Sequence, residues 1–139
     1  MITAVDTNVL LDVFGADPTF GPRSRDALTR CLGDGALLVS DLAWIETAAA
    51  FPEPAAADAA LASIGASYDA TGQKAATVAA TAWSAYRVAG GPRTRVAADF
   101  LVGAHARVHA DRLLTRDPGF YRSYFTGLVV LDPSVEQPS

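Results

Sequence analysis

Cysteine is nearly missing from this chain. Cys31 is the only one in 139 residues, so no internal disulfide can form and no cysteine-rich metal site can be assembled from one copy. A reducing compartment suits that composition. Positive charge is also in deficit: 11 basic residues face 15 acidic ones, for a formal net charge of -4. This excludes a generic, charge-driven grip on nucleic acid or anionic membrane, while a phosphate substrate held through a metal stays open. Histidine occurs twice, at 105 and 109, and no HExxH glutamate stands between them. No apolar run reaches the eighteen or so residues of a membrane span, and the first residues carry no basic region of a signal peptide. The expectation is a cytoplasmic protein with no membrane partner.

What is present is a large apolar fraction, 50 % of the chain, enough for a core without covalent staples. One domain over residues 1–139 is expected. Residues 1–5 are short, apolar and rich in branched side chains, as in a parallel strand buried on both faces. Residues 23–32 have helical spacing and stop before Gly33; residues 36–39 form a second strand. Ser40 or Asp41 then caps a helix over 42–50 that Pro52 closes. Alanine-rich helices follow at 54–64 and 73–88, the second with Asp69 and Thr71 as cap candidates, and Ser67-Tyr68 between them reads as a very short strand. Residues 94–110 predict one apolar helix, 112–115 and 128–131 two further strands, and a polar tail ends the chain. Strands alternating with helices imply right-handed crossovers and an α/β fold whose mainly parallel sheet is covered on both faces. Ligands of such sheets gather beyond the carboxyl ends of the strands.

Four acids stand out against that background. Asp6 ends the first strand, with Thr7 and Asn8 beside it; the competing reading is an N-cap for a helix starting near Val9. Asp99 is the one formal charge in VAADFLVGAHA, and a buried carboxylate needs a cation or a proton. Its competing reading is an ion pair with Arg95, four residues earlier on the same helix face. Glu46 is the lone acid of WIETAAAF, or else an exposed helix position, and Asp117 follows the strand RLLT, or else serves an Asx-turn before Pro118-Gly119. One economical explanation covers all four: they converge on a divalent cation. Carboxylate oxygens are hard donors suited to Mg²⁺ or Mn²⁺. Without these four acids, the remaining 11 equal the 11 basic residues. Ten of those bases are arginine, the residue suited to bidentate phosphate contacts. Asp12 is assigned to solvent or to a structural cap, outside the site.

These residues resemble the PIN-domain family, and specifically the VapC toxin type of bacterial toxin-antitoxin pairs. The resemblance rests on VDTNVLLD at 5–12, the isolated Glu46, DFLVGAHA at 99–106 and LLTRDPGFY at 113–121, in that order and spacing, and spans almost the whole chain. It implies a Rossmann-like α/β/α sandwich and a Mg²⁺- or Mn²⁺-dependent endoribonuclease. The acidic pocket would be Asp6, Glu46, Asp99 and Asp117, with Asp6, Asp99 and Asp117 on the metal and Thr7, Asn8 and Thr115 in support. It further implies a homodimer neutralised by a cognate VapB-type antitoxin whose basic C-terminal segment blocks the pocket.

Two features depart from the pattern. His105 stands where the family usually has a small residue, which suggests a place in the pocket wall, and residues 51–68 are unusually rich in alanine and proline. The rival readings are a phosphatase with Asp6 as nucleophile, a non-catalytic PIN-like module that binds RNA or protein, and an RNA-processing PIN nuclease without a toxic role. The phosphatase requires a second acid where Asn8 stands and a lysine at a strand end, whereas Lys74, the only lysine, falls in an alanine-rich helix.

Overall fold

The computed structural model describes residues 1–135; the end of the expected polar tail, residues 136–139, lies outside them. Its frame is a five-stranded, all-parallel sheet in the order β3-β2-β1-β4-β5. The strands are β1 (Ile2–Val5), β2 (Ala36–Ser40), β3 (Ala66–Asp69), β4 (Arg112–Leu114) and β5 (Val129–Leu131). The helices are α1 (Thr7–Phe14), α2 (Gly21–Asp34), α3 (Asp41–Ala48), α4 (Ala56–Ser63), α5 (Gly72–Val88), α6 (Leu101–His109) and α7 (Pro118–Tyr124). This is the expected α/β architecture, with helices on both faces of the sheet.

Strand alternation explains the layering. Ala4 and Val5 point to opposite faces, as do Leu113 and Leu114, and each pair divides between two hydrophobic clusters. Val5 and Leu114 join Val9, Leu10, Leu28 and Leu61 beneath α1, α2 and α4. Ala4 and Leu113 join Phe100, Phe120 and Phe125 beneath α5, α6 and α7. Because strand order runs outward from β1 to β3 and then returns to the other side of β1, the chain reverses direction between β1 and β4. A crevice opens there at the carboxyl edge. The register Val5↔Leu114 places the next residues of both strands, Asp6 and Thr115, side by side.

Differences from expectation have local causes. The helix expected over 94–110 begins only at Leu101, after a 3-10 turn at Ala97–Phe100. Val96 is extended (φ -122, ψ 168), and its N–H is taken by the Asp99 carboxylate at 2.7 Å, a side-chain bond that competes with helix continuation. Thr71 holds the N-cap position of α5 and Asp69 does not, but the Thr71 side chain makes no cap bond: its hydroxyl and N–H both donate to Asp41 Oδ1 at 2.7 Å. Asp69 binds histidines instead. Ser40, one of two cap candidates, does cap α3. The very short strand at 67–68 is extended by one residue at each end, because Ala66 and Asp69 also pair with β2.

Gly103 of α6 abuts the buried Phe125, and a Cβ there would lie 2.5 Å from the ring. In Gly103→Ala, overpacking of about 1–3 kcal/mol outweighs a helix-propensity gain of about 1 kcal/mol. The urea midpoint of Gly103→Ala is therefore expected to fall below that of the parent; a rise would show that the ring yields freely.

Candidate active site

Asp6 is the centre of the carboxyl-edge crevice. Its own N–H completes the β1–β4 ladder on Leu114 O (2.9 Å), so its side chain leaves the sheet at a fixed point. It also caps α1, which starts at Thr7, two residues before the expected Val9; the cap and strand-end readings are both realised in one residue. Oδ1 accepts from Thr7 N–H at 2.8 Å, and Oδ2 from Thr115 Oγ1 at 2.7 Å, Tyr121 OH at 3.1 Å and Asn8 Nδ2 at 3.4 Å. Every donor is neutral. Burial pushes the Asp6 carboxyl above the ordinary carboxylate range, the bonds from Thr115, Thr7 and Tyr121 pull the other way, and the Glu46 charge adds a little upward. Burial and the facing Asp6 charge also push the Tyr121 phenol up, so it remains a donor at all ordinary pH.

The other three acids reach the same cleft from three different elements. Glu46 comes from α3, the helix after β2, and accepts from Thr7 Oγ1 at 2.9 Å. It is exposed on its helix, as its competing reading has it, yet it faces the crevice. Asp99 comes from the 3-10 turn before α6, and Asp117 from the start of α7, where its N–H donates to Thr115 Oγ1 at 3.0 Å. Asp6, Glu46, Asp99 and Asp117 together line one open cleft of about 450 Å³, with Thr7, Asn8, Arg95 and Tyr121. The competing reading of Asp99, an ion pair with Arg95, is not realised: Arg95 Nη2 bonds Asp117 Oδ2 at 3.0 Å. The turn that takes Asp99 off the helix also takes it off the face it would share with Arg95.

Two open readings are decided. Of the two offered for Asp12, the structural one holds and the solvent-facing one does not: it is 4 % exposed, accepts from Ser24 Oγ at 2.9 Å and receives a two-armed bond from Arg116 at 2.6 and 3.0 Å. Arg116 N–H also donates to Asn8 Oδ1 at 3.1 Å. Asp12 thus fixes the backbone between Thr115 and Asp117 while staying out of the cleft. His105 is not in the pocket wall. It is fully buried elsewhere, bonded through Nε2 to Asp69 at 2.8 Å and stacked on His109, while its Nδ1 has no partner among the described residues. Burial lowers the His105 imidazole below its ordinary value despite the Asp69 carboxylate. Tyr121 is the polar cleft residue that sequence reasoning gave no role. Tyr121 lies inside the quoted LLTRDPGFY motif, and that is the only signal that could have found it.

Chemically, the cleft is an oxygen-rich, anionic hollow. Asp99 Oδ1, Asp117 Oδ1 and Glu46 Oε2 accept no hydrogen bond among the described residues, and the donor set contains no sulfur or imidazole. That chemistry fits a hard divalent cation. The side chains are not gathered into a ligating cage: among the described residues, no three Asp, Glu, His or Cys side chains lie close enough to hold one ion.

A model of the PIN domain matches residues 3–125. No curated protein matches the chain in sequence. Among solved structures, the chain is similar to FitAcB from Neisseria gonorrhoeae (20 % identity, TM-score 0.68, covering 98 % of this chain and 100 % of that one). It is also similar to VapBC2 from Rickettsia felis bound to a DNA fragment from their promoter (15 %, 0.69, 95 % and 98 %). A third is VapBC-1 from nontypeable Haemophilus influenzae (16 %, 0.69, 97 % and 100 %). At these identities the likeness is one of fold.

Two measurements of stability against pH follow. The Asp6 carboxyl, raised in the folded chain, binds its proton more readily there than when unfolded, so it stabilises the fold at acid pH and loses that contribution as pH rises through its folded value. Asp6→Asn, permanently uncharged, is expected to melt higher than the parent at pH 7 and to lose that advantage toward pH 4; a lower melting temperature at pH 7 would contradict it. The His105 imidazole, lowered in the folded chain, has the opposite sign: its contribution is present above the unfolded value of about 6.5 and is lost as pH falls through the folded value. Between pH 7.5 and 5.5, His105→Gln is expected to lose less stability than the parent in parallel thermal scans.

Proposed function

The chain belongs to the PIN-domain family, and from that premise we propose that it is a divalent-metal-dependent endoribonuclease, the toxin of a type II toxin–antitoxin pair. The observation that carries the reading is the meeting of Asp6, Glu46, Asp99 and Asp117 in one cleft at the reversal point of the sheet. Four carboxyl groups in one hollow repel each other, and folding tolerates this where positive charge is brought in from outside.

Asp6, Asp99 and Asp117 offer the ligand oxygens for Mg²⁺ or Mn²⁺. When bound, the ion supplies Lewis acidity and the positive charge that an acidic cleft lacks. Thr115, Asn8 and Tyr121 hold Asp6 in one orientation, and Thr7 ties Glu46 to the cleft wall. Glu46 Oε2 accepts no hydrogen bond among the described residues, so it is free to orient a water for in-line attack on an RNA phosphodiester and accept its proton as the sugar oxygen leaves phosphorus. The crevice is open, so a single strand can lie along it.

The solved structures similar to this chain include VapBC complexes, which supports an antitoxin as partner. The anionic cleft suits a basic antitoxin segment that blocks it, and the rest of the reading is a homodimer acting in the cytoplasm. No helix of the described residues is long and apolar enough to cross a membrane. One observation favours the non-catalytic alternative, a module that binds RNA or protein: the acids line the cleft without closing on one point. An RNA-processing nuclease without a toxic role differs only in biological setting, and a gene for a short DNA-binding antitoxin beside this one would separate the two.

Asp99→Asn removes charge at nearly constant shape. Purified Asp99→Asn is expected to cleave single-stranded RNA in Mg²⁺ or Mn²⁺ at least about a hundredfold more slowly than the parent. Saturating Mn²⁺, at about a hundred times its dissociation constant, is expected to stabilise the parent by about 2.7 kcal/mol and the variant by less. Undiminished cleavage by Asp99→Asn would sink the nuclease assignment, and equal stabilisation of both proteins would place the ion elsewhere.

A further inference from the structure

Among the described residues, Arg95 is the one cation lining the acidic cleft. It sits at the end of the stretch 89–96 that joins α5 to the turn carrying Asp99. The base of that stretch is pinned to α5: Gly91 N–H donates to Tyr86 O, and the Tyr86 hydroxyl donates to Pro92 O. Its far end is fixed by Asp99, which accepts from Val96 N–H. Between those anchors the Arg95 side chain lines the cleft, its guanidinium carbon 4.1 Å from the centre of the Phe120 ring and Nη2 on Asp117 Oδ2 at 3.0 Å.

The bond to Asp117 is one-armed. Arg116 grips Asp12 with two nitrogens, whereas Arg95 spends only Nη2 on a carboxylate, and its Nε and Nη1 donate to nothing among the described residues. The pair is also wet, with side chains 36 % and 45 % exposed, in the range where an ion pair contributes little to stability. A weak, half-used ion pair at the rim of a site is a poor brace. It does occupy the carboxylate of an acid whose other oxygen is open to the cleft.

We propose that Arg95 is a tethered counter-ion that holds Asp117 in the resting chain, yields it to an incoming divalent cation, and then places its free guanidinium arms on a phosphate of the bound RNA strand. A divalent cation and a guanidinium repel each other across one carboxylate, so binding of the first displaces the second. The Phe120 face keeps the displaced group at the cleft, because the contact with the ring does not depend on Asp117. The planar fork then presents two unused donors, the geometry that suits a phosphate. This role rests on the nuclease reading of the cleft.

The test uses the full chain with Arg95→Gln and Arg95→Lys, and begins with Mn²⁺ binding by calorimetry in the absence of RNA. With the competitor removed, Arg95→Gln is expected to bind Mn²⁺ about three- to fivefold more tightly than the parent, the worth of one exposed ion pair. Arg95→Lys keeps the charge and stays near the parent. In steady-state cleavage of a single-stranded RNA oligonucleotide, Arg95→Gln is expected to raise KM with little change in kcat. The salt dependence of its RNA affinity should fall by about 0.7 in logarithmic slope, one phosphate contact fewer. A plain structural brace would give weaker or unchanged Mn²⁺ binding and an unchanged salt slope, and either result overturns the proposal even where the parent cleaves RNA normally. If the parent binds no Mn²⁺ and cleaves no RNA, the nuclease reading fails first and the role of Arg95 falls with it.

Discussion

Folding takes the Asp6 carboxyl out of water and gives it, among the described residues, four neutral donors and no cation, and the design of the cleft follows from that constraint. The position is forced by the backbone, since the pairing of β1 with β4 delivers Asp6 to the crevice whatever its charge state. Hydroxyls and amides bond a carboxylate or a carboxylic acid with little rearrangement, so they fix orientation without fixing charge. A basic partner would fix both. Lacking one, Asp6 is left responsive to whatever positive charge enters the crevice, and Glu46 nearby deepens that response.

The remaining acids are carried by residues that the hydrophobic interior immobilises. Phe100 sits among Trp83, Tyr86, Phe120, Tyr124 and Phe125, with ring centres between 5.2 and 6.3 Å, and Asp99 is its neighbour in sequence. Asp117 opens the helix whose first turn supplies Phe120 and Tyr121 to the same cluster. On the other face, the fork between Arg116 and Asp12 holds the segment between Thr115 and Asp117. Asp99 and Asp117, which would otherwise move apart to relieve repulsion, are thus restrained by packing on one side and by a half-buried ion pair on the other.

The strands were legible because parallel strands covered on both faces read as short unbroken apolar runs. Residues 1–5, 36–39, 112–115 and 128–131 differ from β1, β2, β4 and β5 by no more than one residue at either end. Family membership was legible from ordered motifs. What escaped was which face of a helix each polar residue takes. Asp99 reads as the core acid and Asp12 as the surface one, yet Asp12 is the more buried. Apolar neighbours identify a buried helix, whereas the fate of a charge on it depends on partners far away in sequence: Arg116 for Asp12, 104 positions on, and Asp69 for His105, 36 positions back. The partner of Arg95, Asp117, was hidden for the same reason, being decided by a turn that local periodicity does not announce.

The adjacency of Asp99 and Phe100 ties the chemistry of the crevice to the solidity of the interior. A wedge between aromatic rings at position 100 would be felt one peptide bond away as a displaced Asp99 carboxylate, so the two properties cannot drift independently. Variation that leaves the acids in place is therefore channelled away from the aromatic keystone, to cleft-lining positions such as Leu11 and Ala98 that make no ring contact with Phe100.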